Sequence, residues 1–467
     1  MKKYFNIALL AAVAVSTFSL SSCKNEVDDI FNQDAIARID AERDRYVDLL
    51  TSDGGKWQME YFATDHEKGY VFVMTFNTNG TVTVSGMNEW QSYNFPEITN
   101  RTVAYASDVS MWDVITDSGP VLTFNTFNRV LHVFSDPADI PSEGEEEEVE
   151  TGYGHEGDYE FQLMKYSGDT LYVEGKKYGV KMIMTRLAQD TNDEEFLTQV
   201  YKNFQNIYTA KIPRTYMILP DGTKWNVYYN ATESSLNMFR FDRDSIATAE
   251  SHNMIITHDG MSFMTPHTFN GVTKDAQGNE NAYTVQRFTL QEDGSLIHVD
   301  AQGNRTILIA DALADVIMNQ YYYWQVNNLT DDLGGKYKDM ISEISAEMKT
   351  SGFTATLNYL QFNYSAANKA FVLTFSAKWP AAGVTYIPEF YYTAERVSDT
   401  QIKLVKLPKG NDQAEQFAKE CRTLKQLVED LDGATFDLKA NSVLAPIHMT
   451  MSEQGNAANF MIWHLIR

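Results

Sequence analysis

The sequence predicts a mainly β protein with a few helices, built as tandem antiparallel barrels or sandwiches, and three observations carry that prediction. Short runs from Trp57 onward alternate apolar with polar residues, as in "YVFVMTFNTNGTVTVSG", the pattern of strands that bury one face. Asn-Gly, Asp-Gly and Ser-Gly-Asp punctuate these runs, and residues that tolerate positive φ make hairpins. Finally, 467 residues with 43% apolar and 13% aromatic content suffice for two or three packed domains.

In chain order, "MKKYFNIALLAAVAVSTFSLSSC" opens with Lys2 and Lys3, passes through an apolar run from about Ile7 to Val15, and reaches small residues before Cys23. This is a secretory signal, too short and wrongly flanked for a membrane span. Leu20, Ser21, Ser22 and Cys23 match the lipobox cut by lipoprotein signal peptidase. Residues 1–22 are therefore the expected signal peptide, and Cys23 the expected lipidation site. An ordinary secretory signal would leave Cys23 an unpaired thiol in an oxidising compartment, which is disfavoured. Several acyl chains hold a protein to a bilayer stably where one does not.

Residues 23–52 form a tether and a charged helix over 34–50, whose thin stripe is Ile36, Ile39, Tyr46 and Leu50. Residues 53–190 form a first β-rich domain. Its strands lie in "KWQMEYFA", in a hairpin at Asn79-Gly80, in a hairpin within "GPVLTFNTFNRVLHVFSDP", and in the meander "DYEFQLMKYSGDTLYVEGKKYGVKMIMTRL". Between them "DIPSEGEEEEVETGYGHEGD" offers four consecutive glutamates and little that is apolar to bury, so it reads as a surface loop.

Residues 191–310 open with the helix "NDEEFLTQVYKNFQNI", capped by Asn192 and Glu195. Strands follow, with turns at Asp221-Gly222, Asp259-Gly260, Asn270-Gly271 and Asp293-Gly294. Residues 311–467 mix helices with antiparallel strands. In "DQAEQFAKECRTLKQLVEDLDG" the residues Ala414, Phe417, Cys421, Leu424, Val428 and Leu431 share one helical face, so Cys421 reads as a core thiol rather than a nucleophile.

The chain carries 63 Asp and Glu against 38 Lys and Arg, two of which precede Cys23. Such a surface repels phosphate backbones and anionic lipid, which argues against nucleic-acid binding and polybasic membrane docking. No His-Glu-x-x-His, Gly-x-Ser-x-Gly, Walker loop or Cys-x-x-Cys occurs, so no catalytic residue and no cofactor is assigned. His252 and His258 would stand about 20 Å apart on an extended strand, and no metal site is assigned to them. His155, Glu156 and Asp158 lie near Glu145 to Glu148 and offer calcium-type oxygens, but a hydrated acidic loop is the preferred reading. Carboxylate pairs suited to glycoside hydrolysis are too numerous here to be informative.

The aromatic run Tyr321, Tyr322, Tyr323 and Trp324 is a candidate ligand platform, because such rings stack on the apolar faces of sugars. Trp90 and Trp112, flanked by polar loop residues, are candidates of the same kind. Alternate members of an aromatic strand more often belong to a core.

"GPVLTFNTFNRVLHVFSDP", "GHEGDYEFQL", "WQMEYF" and the lipobox followed by "EVDDIF" together resemble a family of Bacteroidetes lipoproteins whose shared domain has no known function. The resemblance implies lipocalin-like folds and encoding near SusC-like and SusD-like outer-membrane uptake components; it carries over no catalytic residue. "KNEVDD" after Cys23 partly resembles the signal that sends such lipoproteins to the cell surface, which favours surface display over a periplasmic location. The expectation is a non-enzymatic lipoprotein of the outer membrane, accessory to SusC/SusD-like uptake of a glycan or peptide, that binds ligand or partner. A glycan-acting hydrolase with paired carboxylates and a structural or adhesive surface protein are the alternatives.

Overall fold

The computed structural model of the chain describes residues 35–99, 102–136, 154–208, 215–230, 235–242, 245–274, 277–350, 354–444 and 446–466. Leu20, Ser21, Ser22, Cys23 and the glutamates 145–148 lie outside these residues.

Eight antiparallel strands from β1 (Lys56–Tyr61) to β8 (Lys181–Arg186) pair in chain order, and β8 closes onto β1 with Arg186 opposite Trp57. A second ring runs from β9 (Thr215–Ile218) to β16 (Arg305–Ala310) and closes where Leu308 faces Met217. A third runs from β17 (Tyr323–Val326) to β25 (Asn456–Ile466), which pair with each other. In it β20 (Val384–Tyr386) hangs from the end of β19 (Ala370–Trp379) outside the ring. The expected tandem lipocalin-like barrels are thus present as three up-and-down meanders, not sandwiches. Closure pairs the edges that would otherwise template aggregation, and eight strands enclose an interior that side chains fill or that holds one small ligand.

The alternation seen in the sequence sorts the residues of each strand. In β3 (Thr81–Asn88), Val82 and Val84 are buried while Thr81 and Thr83 are half-exposed. Gly80 holds the preceding turn at φ 80°, a conformation that costs an ordinary residue energy. Asp221-Gly222 and Asp293-Gly294 also make turns, with Asp221 and Asp293 side chains accepting from Thr223 and Ser295 amides.

Four local expectations change. The stretch 119–137 is a hairpin only at its start: after β5 (Pro120–Phe124) it becomes a loop and a short helical turn at His132–Phe134, with Val130, Leu131, Val133 and Phe134 all buried. "VLHVF" is apolar at four of its five positions with no strand alternation, so it fills a core rather than forming a one-faced strand, and the Asn128 side chain accepts the amides of Val130 and Leu131. Asn270-Gly271 lies inside the long β13 (Gly260–Lys274) at a register shift, a bulge instead of a turn. The helix expected around Cys421 is two helices, Asp412–Glu420 and Arg422–Asp430, broken where Cys421 is extended. The apolar face nevertheless stays buried. Burial beside Glu347 and Glu420 raises the Cys421 thiol to about 11, which suits an inert core thiol. Last, the helix Ala35–Thr51 is packed against the first barrel, with Tyr46 and Leu50 in its core and Arg43 bonded to the Val114 carbonyl (2.7 Å) and Asp113 (2.9 Å). Any free tether is confined to residues before it.

Candidate binding cleft

The first two barrels are locked at a narrow junction. The Gly69 amide donates to the Met254 carbonyl of β12 (Ser245–Thr257) at 2.9 Å. A Cβ on Gly69 would stand 2.6–2.8 Å from side-chain atoms of Ile255, closer than packing allows, so the approach depends on glycine. Ile255 belongs to the first barrel's core, whereas Met254 and Ile256 belong to the second's. Period-two geometry lets one strand serve both. The helix Asp193–Tyr208 spans the same joint, with Leu197 in the first core, Ile207 in the second, and Asn203 donating to the Thr257 and His258 carbonyls. Its first turn is capped as expected, the Asn192 side chain accepting from the Glu195 amide.

A buried carboxylate crosses the junction as well. Glu60 meets Arg287 at 2.6 Å, and burial, opposed by Arg287, raises the Glu60 pKa. A raised carboxyl pKa favours the fold at acid pH and costs stability as pH rises past it. Glu60→Gln is accordingly expected to raise the melting temperature at pH 7 and to change it little near pH 4. An equal shift at both pH values would show that ionisation of Glu60 is not the destabilising event.

Beside the junction the barrels part around a cleft of about 610 Å³. It shares Lys181, Met264 and Thr265 with an adjoining hollow of about 380 Å³. The first barrel supplies Tyr178 to the cleft and Tyr172 and Met164 to the hollow, 37%, 45% and 56% exposed respectively. Tyr172 lies on the outer face of β7 (Thr170–Gly175), opposite the buried Leu171 and Val173. The second barrel supplies Ser251 to Asn253 and the segment Met264 to Pro266. That segment falls between the paired Ser262 and His267, where three extra residues leave the ladder. Pro266 has no amide to pair and is tolerated at such a bulge. Asp65, His66 and Glu156 add charge at the rim, and the Asn253 side chain donates to the Asp65 carbonyl across the gap.

The structure divides the aromatic run of the third barrel by parity. Trp324 and Tyr322 are in the core, while Tyr321 and Tyr323 are 75% and 44% exposed. Trp112 is also buried, its indole nitrogen donating to the Asn77 carbonyl and its ring edge-on to Phe76. These buried rings serve packing and present no face to solvent. Trp90 is half-buried, donates to the Tyr70 hydroxyl at 2.7 Å, and meets the His155 ring at 4.5 Å. None of these six aromatic residues lines the cleft with Tyr178.

His155 is fully buried with its Nδ1 2.7 Å from Glu67. Asp158 accepts the amides of Lys177 and Tyr178, which ties down the turn carrying Tyr178. Both groups thus have structural partners. His252 and His258 separate: His258 bonds to Asp259 and stacks on Phe196 at 4.4 Å, whereas His252 approaches Glu250 and His267. Tyr172, Tyr178, Glu250 and His267 emerge as candidates only in the folded chain. For Tyr172 and Glu250 the signal was present as an i, i+2 position on a strand face; the cross-strand placement of His267 had none.

Residues 27–276 match a family described as a domain of unknown function, DUF4302, and the match ends inside the second barrel. No curated protein sequence matches the chain. Among solved structures, the chain is similar to the beta subunit of DNA polymerase from Streptococcus pyogenes at 9% identity, covering 91% of this chain and 98% of that one, with a TM-score of 0.14. The DNA polymerase III beta chain of Streptococcus pneumoniae gives 8%, 91%, 98% and 0.14. Transferrin binding protein B from serogroup B Neisseria meningitidis gives 7%, 88%, 74% and 0.14. At that score these likenesses carry no argument about fold or function.

Proposed function

The chain belongs to the DUF4302 family, and on that footing we propose that it is a non-enzymatic, lipid-anchored binding protein of the bacterial outer membrane. It holds a glycan or peptide in the cleft between its first two barrels and acts as an accessory to a SusC/SusD-like uptake system. One observation carries the binding part of this reading: Tyr178 in a sizeable cleft and Tyr172 in the hollow that adjoins it stand exposed on the first barrel where it faces the second. The Tyr172 phenol beside carboxylates, an amide and hydroxyls suits a hydroxyl-rich ligand, and Tyr178 adds a second phenol, whose ring carries the Lys177 ammonium at 4.4 Å. The lipobox and the Lys2, Lys3 leader support anchorage, and the acidic balance supports a hydrated surface position.

Screening the purified chain on a glycan and peptide array tests this directly. The expected result is a bound ligand with no released reducing sugar, and a loss of about 10-fold or more in affinity when Tyr172 and Tyr178 are both changed to Ala, each ring contributing on the order of 1 kcal/mol. Changing the exposed Tyr321 and Tyr323 to Ala is expected to leave that affinity unchanged. The opposite pattern would move the site to the third barrel, and release of reducing sugar would replace binding by hydrolysis.

A further inference from the structure

The second barrel's inward face turns polar at one end of β12. Met254 and Ile256 lie in its core, and two and four residues earlier on the same face stand His252 and Glu250. On β13, the bulge that ejects Met264 to Pro266 brings His267 back beside them, ahead of the core residue Phe269. Glu250 Oε2 lies 3.3 Å from His252 Nε2 and 3.1 Å from His267 Nε2, and one ligand atom from each of the three residues lies within 4.8 Å of the others. All three side chains are half-buried, and the two imidazole rings meet edge to face at 4.6 Å.

We propose that Glu250, His252 and His267 form a binding site for a divalent transition-metal ion of the zinc type. Two imidazole nitrogens and one carboxylate oxygen are the donor set that borderline ions select, whereas calcium and magnesium prefer oxygen alone. A tetrahedral ion with bonds of about 2.0–2.1 Å separates its ligands by about 3.3 Å, and two of the three edges here already have that length. The third closes by side-chain rotation. His252 also lines the inter-barrel cleft, so a fourth coordination position lies on the side where a ligand or water arrives. The site does not depend on the cleft's holding a glycan or peptide.

The test uses the tag-free, metal-stripped full chain and zinc chloride alone, with titration calorimetry and metal analysis after dialysis. One equivalent of Zn²⁺ is expected to bind saturably at micromolar concentration or tighter, undisplaced by excess Ca²⁺ or Mg²⁺. His252→Ala and His267→Ala are expected to weaken it at least about 100-fold, and Glu250→Gln about 10-fold. His258→Ala, on the same barrel but turned away to Phe196, is expected to bind as the unaltered chain does. Far-UV circular dichroism of each variant separates lost binding from lost folding. Absence of stoichiometric zinc, equal displacement by Ca²⁺, or unchanged affinity in folded His252→Ala and His267→Ala would overturn the proposal. Where those two variants fail to fold, a binding stoichiometry of one in the folded Glu250→Gln at unchanged affinity would overturn it as well.

Discussion

Trp57→Ala is expected to cost the first barrel about 3–5 kcal/mol, the range for emptying a large aromatic site in a packed core. Trp57 is fully buried at the seam where β8 closes onto β1. Its indole nitrogen donates to the Leu50 carbonyl at 2.9 Å, so it also holds the end of the Ala35–Thr51 helix. The Arg186 guanidinium lies 4.2 Å from the ring centroid and donates to the Leu49 and Ser52 carbonyls on the far side. Removing the ring therefore leaves a cavity, an unpaired carbonyl and an arginine without its stacking partner. Urea unfolding followed by near-ultraviolet circular dichroism reads the loss. Trp57→Phe retains most of the volume and gives up the hydrogen bond, so its expected cost is about 1–3 kcal/mol. A loss below about 1 kcal/mol for the alanine variant would show that the seam is held elsewhere.

The second large effect concerns Cys23. On the proposed anchorage, Cys23→Ser removes the sulfur that would accept the diacylglyceryl group, and signal cleavage would follow that acylation, so the variant is expected to keep residues 1–22 and to disappear from the outer-membrane fraction. The expected change is large, because each buried methylene contributes about 0.8 kcal/mol and several chains together give stable anchoring where one does not. Intact mass and membrane fractionation read it. An unaltered chain with a free Cys23 thiol, or an amino terminus at another residue, would remove the anchor from the proposal.

These two cases differ in how they can be read. The expected lipobox is a contiguous run of four residues, Leu20 to Cys23, so it is legible without any fold. The importance of Trp57 is not: the strand run predicts that it is buried, but its bond to Leu50 and its stack with Arg186, 129 positions later in the chain, exist only after the ring of strands closes. The aromatic run at 321–324 shows both kinds of information at once. Alternation predicts that two of its rings face inward; only the register of β17 between its neighbours decides that these are Tyr322 and Trp324. Likewise the apolar face around Cys421 is visible by its spacing, while the break at Cys421 follows from packing against the Gly335–Thr350 helix, whose Glu347 accepts the Thr423 amide and hydroxyl.

What the amino-acid order settled by itself is therefore local: β class, hairpin turns, helix caps and the faces that would be buried, all of which depend on residues a few positions apart. What only the tertiary structure decided is which distant faces meet. Three ring closures, a cleft walled by two barrels, and the meeting of His267 with Glu250 and His252 across a bulge are contacts between segments whose spacing along the chain carries no period. Their geometry is set by strand register and core packing, and a register offset of a single residue would have turned every one of those side chains to the opposite face.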